Sequence, residues 1–129
     1  MPKFSAKSQE QLSSCHADLQ TVCHLLIEQY DFTVLEGYRG KEAQERAFMQ
    51  GKSRVHFPCS AHNCYPARAV DIVPYPIDWK NEDRFAQMII RFDTLANVLR
   101  KEGKIKSHFV YGGYWAKLKD WPHIEIKEK

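Results

Sequence analysis

The sequence lacks long hydrophobic runs and carries little excess of either charge. Its first residues contain no apolar core of the kind found in a signal peptide, and no segment approaches the ~20 apolar residues that a membrane-spanning helix needs. We therefore expect neither an export signal nor a membrane span. Nineteen basic and sixteen acidic residues leave a net charge of +3, which is too small to indicate a nucleic-acid-binding protein.

Repeats, linkers and low-complexity segments are also absent from the 129 residues, a length typical of one ordinary domain. A hydrophobic fraction of 43% is sufficient for a packed core and excludes a disordered chain. We expect one domain that covers residues 1–129, and a monomer.

Cysteines are few, at four, and disulfides are not expected as structural cross-links in a chain without an export signal. Cys15 and Cys23 fall on the apolar face of a predicted helix, and we interpret them as core thiols. Cys59 and Cys64 lie in a predicted loop. Whether these two form a disulfide after release into an oxidising space stays open.

The spacing of hydrophobic residues predicts the secondary structure. A helix is predicted from Ser8 to about Tyr30, with Ser8 and Gln11 as a capping box at its start. The following predicted elements are a strand at 32–38, a helix at 41–50 that ends at Gly51, a loop at 52–66, a strand at 67–73, a long helix between Asn81 and Gly103, and strands at 105–111 and 123–126. This order predicts an α+β fold, in which helices flank a small, mostly antiparallel sheet in a single domain.

Two polar clusters lie at predicted strand ends or turns, where a rigid sheet can direct side chains into a cleft. The first runs from Ser60 through His62 to Asp71, and the second is Asp120-Trp-Pro-His123. Asp71 is surrounded by apolar residues in its predicted strand. Burial of a carboxylate there is costly unless it is paired, hydrogen-bonded or bound to a metal.

Two histidine nitrogens and one aspartate oxygen form a three-ligand zinc set that leaves a fourth position for water. His62, Asp71 and His123 are the candidate ligands, Asp120 is then available as a general base, and Arg39 is a candidate to stabilise an oxyanion. A structural alternative is equally compatible with the spacing alone. In that alternative Asp71 pairs with Arg68 or Arg39, and both histidines are ordinary polar residues.

The order of three motifs favours the zinc site. Ser60-Ala-His62, Ala69-Val70-Asp71 and Asp120-Trp-Pro-His123 resemble the pattern of the lysostaphin, D-alanyl-D-alanine peptidase and hedgehog-like zinc peptidases. Within that superfamily the chain is most similar to the L-alanyl-D-glutamate endopeptidases that tailed phages use as endolysins. The similarity continues through the segments 34–40, 51–53, 74–79 and 111–115.

The resemblance implies one zinc ion bound by His62, Asp71 and His123, with Asp120 as the catalytic base. It also implies that Arg39 holds the scissile carbonyl oxygen or a substrate carboxylate, and that the substrate is the peptidoglycan stem peptide. Two features differ from many members of the superfamily. The eight residues between His62 and Asp71 form a longer spacing, and Asp120 stands where many members have glutamate.

Other residues near these motifs have two interpretations each. Ser60 and Gln44 either support the ligand loop or substrate, or are ordinary turn and helix residues. Trp115 and Trp121 either form walls of a substrate groove or belong to the core.

Two alternative functions are a D-alanyl-D-alanine carboxypeptidase and a non-catalytic cell-wall-binding module that keeps the zinc fold. Asp120 and Arg39 favour an enzyme, because a binding module does not need a base beside a metal. The resemblance further implies synthesis in the cytoplasm of the bacterial host and action on the cell wall after release by a phage holin.

Overall fold

Four α-helices and a four-stranded sheet form the computed structural model, which describes residues 2–116 and 119–127. The elements are α1 (Ala6–Ser13), α2 (Ala17–Leu26), β1 (Phe32–Glu36), α3 (Lys41–Met49), β2 (Ala69–Pro74), α4 (Glu82–Lys101), β3 (Phe109–Tyr111) and β4 (His123–Ile126). Short 3-10 helices occupy Ala61–Asn63 and Gly112–Tyr114. The prediction of an α+β fold is confirmed.

The sheet has the strand order β1-β2-β4-β3, and all neighbouring strands are antiparallel. Side chains alternate between its two faces. On β2 and β4, Val70, Ile72 and Ile124 are fully buried in the core, whereas Asp71 pairs directly with His123. The register therefore places these two polar side chains side by side on the face opposite the core.

Helices cover the apolar face of the sheet. α2 packs on α4, α4 packs on β2, and α1 packs on β1. Burial of each large apolar side chain contributes about 1.5–3 kcal/mol to the stability of the fold. The predicted apolar face of the long helix is confirmed, and its buried members are Phe85, Met88, Ile89, Phe92, Ala96 and Leu99.

The prediction of one helix from Ser8 to Tyr30 is wrong, because the chain leaves the helical path between α1 and α2. Cys15 forms a parallel bridge with Ala67, and the backbone N–H of His16 donates to the Ala67 carbonyl at 2.9 Å. The His16 side chain then caps α2 by accepting from the N–H of Asp18. Tertiary hydrogen bonds to a distant segment thus override the helical periodicity.

The predicted capping box of Ser8 and Gln11 is also wrong. Ser5 caps α1, and its hydroxyl accepts from the N–H of Ser8. Ser8 is buried, and its hydroxyl accepts from the N–H of Val34 on β1. The serine therefore connects α1 to the sheet.

The predicted ends of two helices and the predicted core positions of Cys15 and Cys23 are confirmed. Gly51 and Gly103 end their helices with φ angles of 74° and 75°, a region that glycine adopts without strain. Cys15 and Cys23 are buried, whereas Cys59 and Cys64 are exposed, and all four are free thiols. No helix among the described residues combines the length and apolarity needed to cross a lipid bilayer.

Asp18, in the first turn of α2, holds the segment that leads into β3. Its Oδ2 accepts from the hydroxyl and N–H of Ser107, at 2.6 and 3.0 Å, and from the N–H of Lys106 at 3.2 Å. Burial raises the pKa of Asp18, but these hydrogen bonds outweigh that effect and hold the pKa below its usual value.

We expect Asp18→Asn to lower the free energy of unfolding at pH 7 by about 1–2 kcal/mol, which is at the lower end of the roughly 1.5–3 kcal/mol for hydrogen bonds to a charged group because Asp18 is only partly buried. Because the pKa of Asp18 is lower in the folded protein, its ionised carboxylate stabilises the fold at pH values above the unfolded pKa of about 3.9. The difference in unfolding free energy between wild type and variant should therefore shrink as pH falls below that value. Urea unfolding at pH 7 and at a pH below about 3.9 measures this difference in stability, and Asp31→Asn, at an exposed position, is the control. A pH-independent difference would contradict this role.

Candidate active site

A cleft of about 980 Å³ opens beside the polar face of the sheet. Its lining comes from β1, α3, the loop from 50 to 62, β2 and the segment from 115 to 125. All five predicted metal-binding and catalytic residues line it: Arg39, His62, Asp71, Asp120 and His123.

Three of these side chains present donor atoms to one another. Asp71 Oδ1 lies 3.3 Å from His62 Nε2 and 3.2 Å from His123 Nδ1. All three ligand atoms are within 4.8 Å of each other. The histidines are almost fully buried, at 1% and 8% exposure, so the donor positions are held by packing.

The tautomer of His62 follows from its second hydrogen bond. Its Nδ1 lies 2.8 Å from the carbonyl oxygen of Gly37, which can only accept, so Nδ1 carries the proton. Nε2 of a neutral ring is then an unprotonated electron-pair donor. Nε2 is buried and has no hydrogen-bond partner among the described residues, although it faces Asp71.

His123 is oriented by a carboxylate that was not predicted from the sequence. Its Nε2 lies 2.6 Å from Glu125 Oε1, which leaves Nδ1 facing Asp71. Burial lowers the pKa of His123, but the two carboxylates outweigh this and raise it to about 9. The hydrogen bond with His123 in turn lowers the pKa of Glu125. The spacing of His123 and Glu125 could have predicted this contact, because residues two apart on a strand lie on the same face.

Asp71 is the negative charge at the centre of the cluster. Burial raises the pKa of Asp71, but the hydrogen bond from His123 and the nearby imidazole rings of His62 and His123 outweigh it and hold the pKa well below its usual range. The carboxylate is therefore ionised at neutral pH. Two imidazole nitrogens and an ionised oxygen that converge in this way can hold a divalent metal ion.

Arg39 follows β1 and is mostly buried beside this cluster. Its Nε lies 3.2 Å from Glu36 Oε1, and its side chain is 11% exposed. Its backbone N–H donates to the His62 carbonyl at 2.8 Å, and its carbonyl accepts from Asn63. The arginine is thus fixed to the segment that carries the first predicted ligand. Its pairing with Glu36 was not predicted.

Asp120 lies on the edge of the cleft in a turn closed by the His123 N–H, which donates to the Asp120 carbonyl at 3.0 Å. Partial burial raises the pKa of Asp120, and the charge of Asp71 raises it further, while His123 and Arg39 act in the opposite direction. A carboxylate with a raised pKa is better suited to accept and return a proton near neutral pH.

Gln44 and Ser60 act on the ligand loop through Asn63. Gln44 is fully buried, and its Oε1 accepts from Asn63 Nδ2 at 3.2 Å. Ser60 accepts from the His62 N–H, while its own N–H donates to Asn63 Oδ1. These bonds support the short helix that carries His62. Asn63 was not identified from the sequence.

The two tryptophans occupy different places. Trp115 lines the cleft, is 37% exposed, and has its ring centroid 5.4 Å from that of His123. Trp121 packs against the hydrophobic core near Phe85. Trp115 is therefore the one of the pair that a substrate can contact.

Comparison with known proteins identifies the family of this chain. A model of the phage L-alanyl-D-glutamate peptidase family matches residues 1–128. The chain belongs to this peptidase family. The chain is also similar to the crystal structure of the Serratia marcescens L-Ala D-Glu endopeptidase ChiX, with a TM-score of 0.76 and 29% identity over 97% of this chain and 90% of that one. No curated protein sequence matches. The predicted family and the prediction of an enzyme are confirmed.

A glycine supports the turn that carries Asp120 and His123. A Cβ on Gly112 would lie 2.3 Å from the Asp120 carbonyl oxygen and 3.0 Å from the Cβ of His123. The N–H of Asp120 also donates to the Gly112 carbonyl at 3.0 Å. The turn can approach β3 this closely only because residue 112 has no side chain.

We expect Gly112→Ala to lower the free energy of unfolding by about 1–3 kcal/mol, the usual cost of overpacking, because the turn must move away. Urea unfolding measures this loss. Gly40→Ala is the matched control, since the nearest neighbours of its Cβ would be side-chain atoms of Tyr38 at 3.8 Å. Equal stability of the two variants would show that the close contact at residue 112 does not constrain the turn.

Proposed function

We propose that this peptidase hydrolyses the L-alanyl-D-glutamate bond of the peptidoglycan stem peptide with one zinc ion held by His62, Asp71 and His123. The convergence of their three donor atoms in a cleft beside Asp120 is the observation that carries the proposal. We further propose that the peptidase is made in the cytoplasm of the bacterial host and reaches the wall after holin-type release.

The residues fit zinc in two respects. The buried Nε2 of His62 has no hydrogen-bond partner among the described residues, as expected for a nitrogen reserved for a metal. The donor set of two imidazoles and one carboxylate is one that zinc adopts in catalytic sites, where a fourth position remains open. Glu125 also matches the carboxylates that orient metal-binding histidines, because it accepts from the ring nitrogen that faces away from Asp71.

A bound zinc ion would supply a Lewis acid that acidifies water and polarises a carbonyl. In the proposed reaction Asp120 takes a proton from the attacking water while the water oxygen bonds to the alanine carbonyl carbon. Asp120 then gives the proton to the glutamate nitrogen as the C–N bond breaks. Arg39 donates to the carbonyl oxygen and stabilises the negative charge that develops there.

The direct test is the identity of the products. We expect zinc-loaded protein incubated with peptidoglycan to expose new N-terminal D-glutamate, detected by mass spectrometry, and a chelator to prevent this. Released D-alanine would instead indicate a D-alanyl-D-alanine carboxypeptidase. Binding to peptidoglycan without any zinc-dependent product would indicate a non-catalytic module.

Asp120→Asn separates catalysis from metal binding. We expect kcat to fall about 10²–10⁴-fold, the usual contribution of a general base, because the amide cannot accept the proton. Zinc affinity, measured by calorimetry, should stay within a few-fold of wild type since Asp120 is not a proposed ligand. Asp83→Asn, in the first turn of α4, is the control. Wild-type turnover in Asp120→Asn would exclude Asp120 as the base.

Zinc binding should be coupled to proton release. Because the pKa of His123 is raised to about 9 in the metal-free protein, the ring is protonated at pH 7 and must lose that proton to bind a metal. We expect release of about one proton per zinc ion at pH 7 and a roughly tenfold fall in affinity for each pH unit below 9. Calorimetry in buffers of different ionisation enthalpy measures both. A zinc affinity that does not change with pH would contradict the assignment of His123 as a ligand.

A further inference from the structure

Three positively charged side chains line one part of the cleft and take no part in the proposed chemistry. They are Arg46 in the last turn of α3 and Lys52 and Arg54 in the loop that follows, and we call them the cationic rim. All three are exposed. Among residues 2–116 and 119–127, no carboxylate lies within 4 Å of their charged nitrogens.

The loop of the cationic rim is held firmly in place. The N–H groups of Lys52 and Ser53 donate to the Ala47 carbonyl at 2.8 and 3.1 Å. Gln44, which is fully buried, donates from Nε2 to Ser53 Oγ at 2.8 Å and to the Val55 carbonyl at 2.7 Å. The backbone that carries Lys52 and Arg54 is therefore anchored to α3.

The same glutamine connects the cationic rim to the metal-ligand loop. Gln44 Oε1 accepts from Asn63, whose neighbour His62 is a proposed ligand. One buried amide thus holds the loop that carries Lys52 and Arg54 and the helix that carries His62. This arrangement fixes the backbone of the loop that carries Lys52 and Arg54 relative to the short helix that carries His62.

The other cations of the cleft already have partners within the chain. Arg39 pairs with Glu36, and Lys119 donates to the Gly113 carbonyl at 3.2 Å while it lies over the Trp121 ring. The catalytic centre is rich in carboxylates. Unpaired positive charge in the described part of the cleft is therefore concentrated at the cationic rim.

The chemistry of the substrate supplies a matching anion. Glutamate has two carboxyl groups, and the peptide chain that continues beyond it uses only one, so the other remains a carboxylate next to the scissile bond. Asp120 and Glu125, which are not proposed zinc ligands, repel such a group. A substrate with this charge needs a cation to offset that repulsion, and guanidinium groups bind carboxylates with paired hydrogen bonds.

We propose that the cationic rim binds the free carboxylate of the D-glutamate residue and so selects substrates that carry a negative charge after the scissile bond. The inference rests on the proposed function. It assigns a specificity role to Arg46, Lys52 and Arg54, distinct from the acid–base role of Asp120.

Two synthetic peptides test this proposal. The first is L-Ala-D-Glu-L-Lys-D-Ala in which the glutamate side-chain carboxyl forms the bond to lysine. The second is the same peptide with the remaining carboxylate of the D-glutamate residue converted to an amide. Cleavage kinetics are measured for zinc-loaded wild type and for the triple variant R46Q/K52Q/R54Q. We expect KM of the triple variant to rise about tenfold or more for the carboxylate peptide and to stay within about twofold for the amide. Lys104→Gln, an exposed lysine that pairs with Glu102 outside the cleft, is the control.

Equal effects on both peptides, or no effect on either, would overturn the proposal. Calorimetric binding of both peptides to zinc-loaded Asp120→Asn, with and without the triple substitution, separates this inference from the proposed function. If the carboxylate peptide binds in a rim-dependent way to Asp120→Asn but wild type cleaves neither peptide, the result would support the role of the cationic rim and contradict the proposed function. Absence of rim-dependent binding would overturn the rim irrespective of cleavage.

Discussion

Three electron-pair donors that face one another are the constraint on which the site depends. His62 Nε2 and His123 Nδ1 both lie within 3.3 Å of Asp71 Oδ1. Such an arrangement is stable only with positive charge between the donors, supplied by a metal ion or by a proton. Without a metal, His123 carries this proton at neutral pH because its pKa is raised to about 9. The proposed zinc ion would replace it.

Much of the surrounding fold keeps these donors in place. The antiparallel pairing of β2 and β4 sets Asp71 opposite His123. The carbonyl of Gly37, just beyond β1, fixes the ring of His62. Gly37 itself approaches α1 so closely that a Cβ would lie 2.2 Å from the Gln11 carbonyl oxygen. The break between α1 and α2 therefore lies next to the segment that orients His62 and helps to shape the donor cluster.

Sequence periodicity was sufficient for the sheet, the long helix and the α+β class, because those elements bury regular apolar faces. The order of the three motifs, rather than spacing alone, singled out His62, Asp71 and His123, and these residues do converge. The break after Ser13 could not be predicted, since it depends on hydrogen bonds to Ala67, more than fifty residues away. The contact of Glu125 was likewise missed, because it depends on which nitrogen of His123 faces the centre.

The central claim is that the three donors converge on a single zinc ion, and anomalous diffraction at the zinc absorption edge from crystals of the zinc-loaded protein tests it most directly. We expect one strong anomalous peak about 2.0–2.2 Å from His62 Nε2, Asp71 Oδ1 and His123 Nδ1, the usual ligand distances of zinc. A peak at the cysteines or beside Glu125, with none between the three donors, would contradict the account.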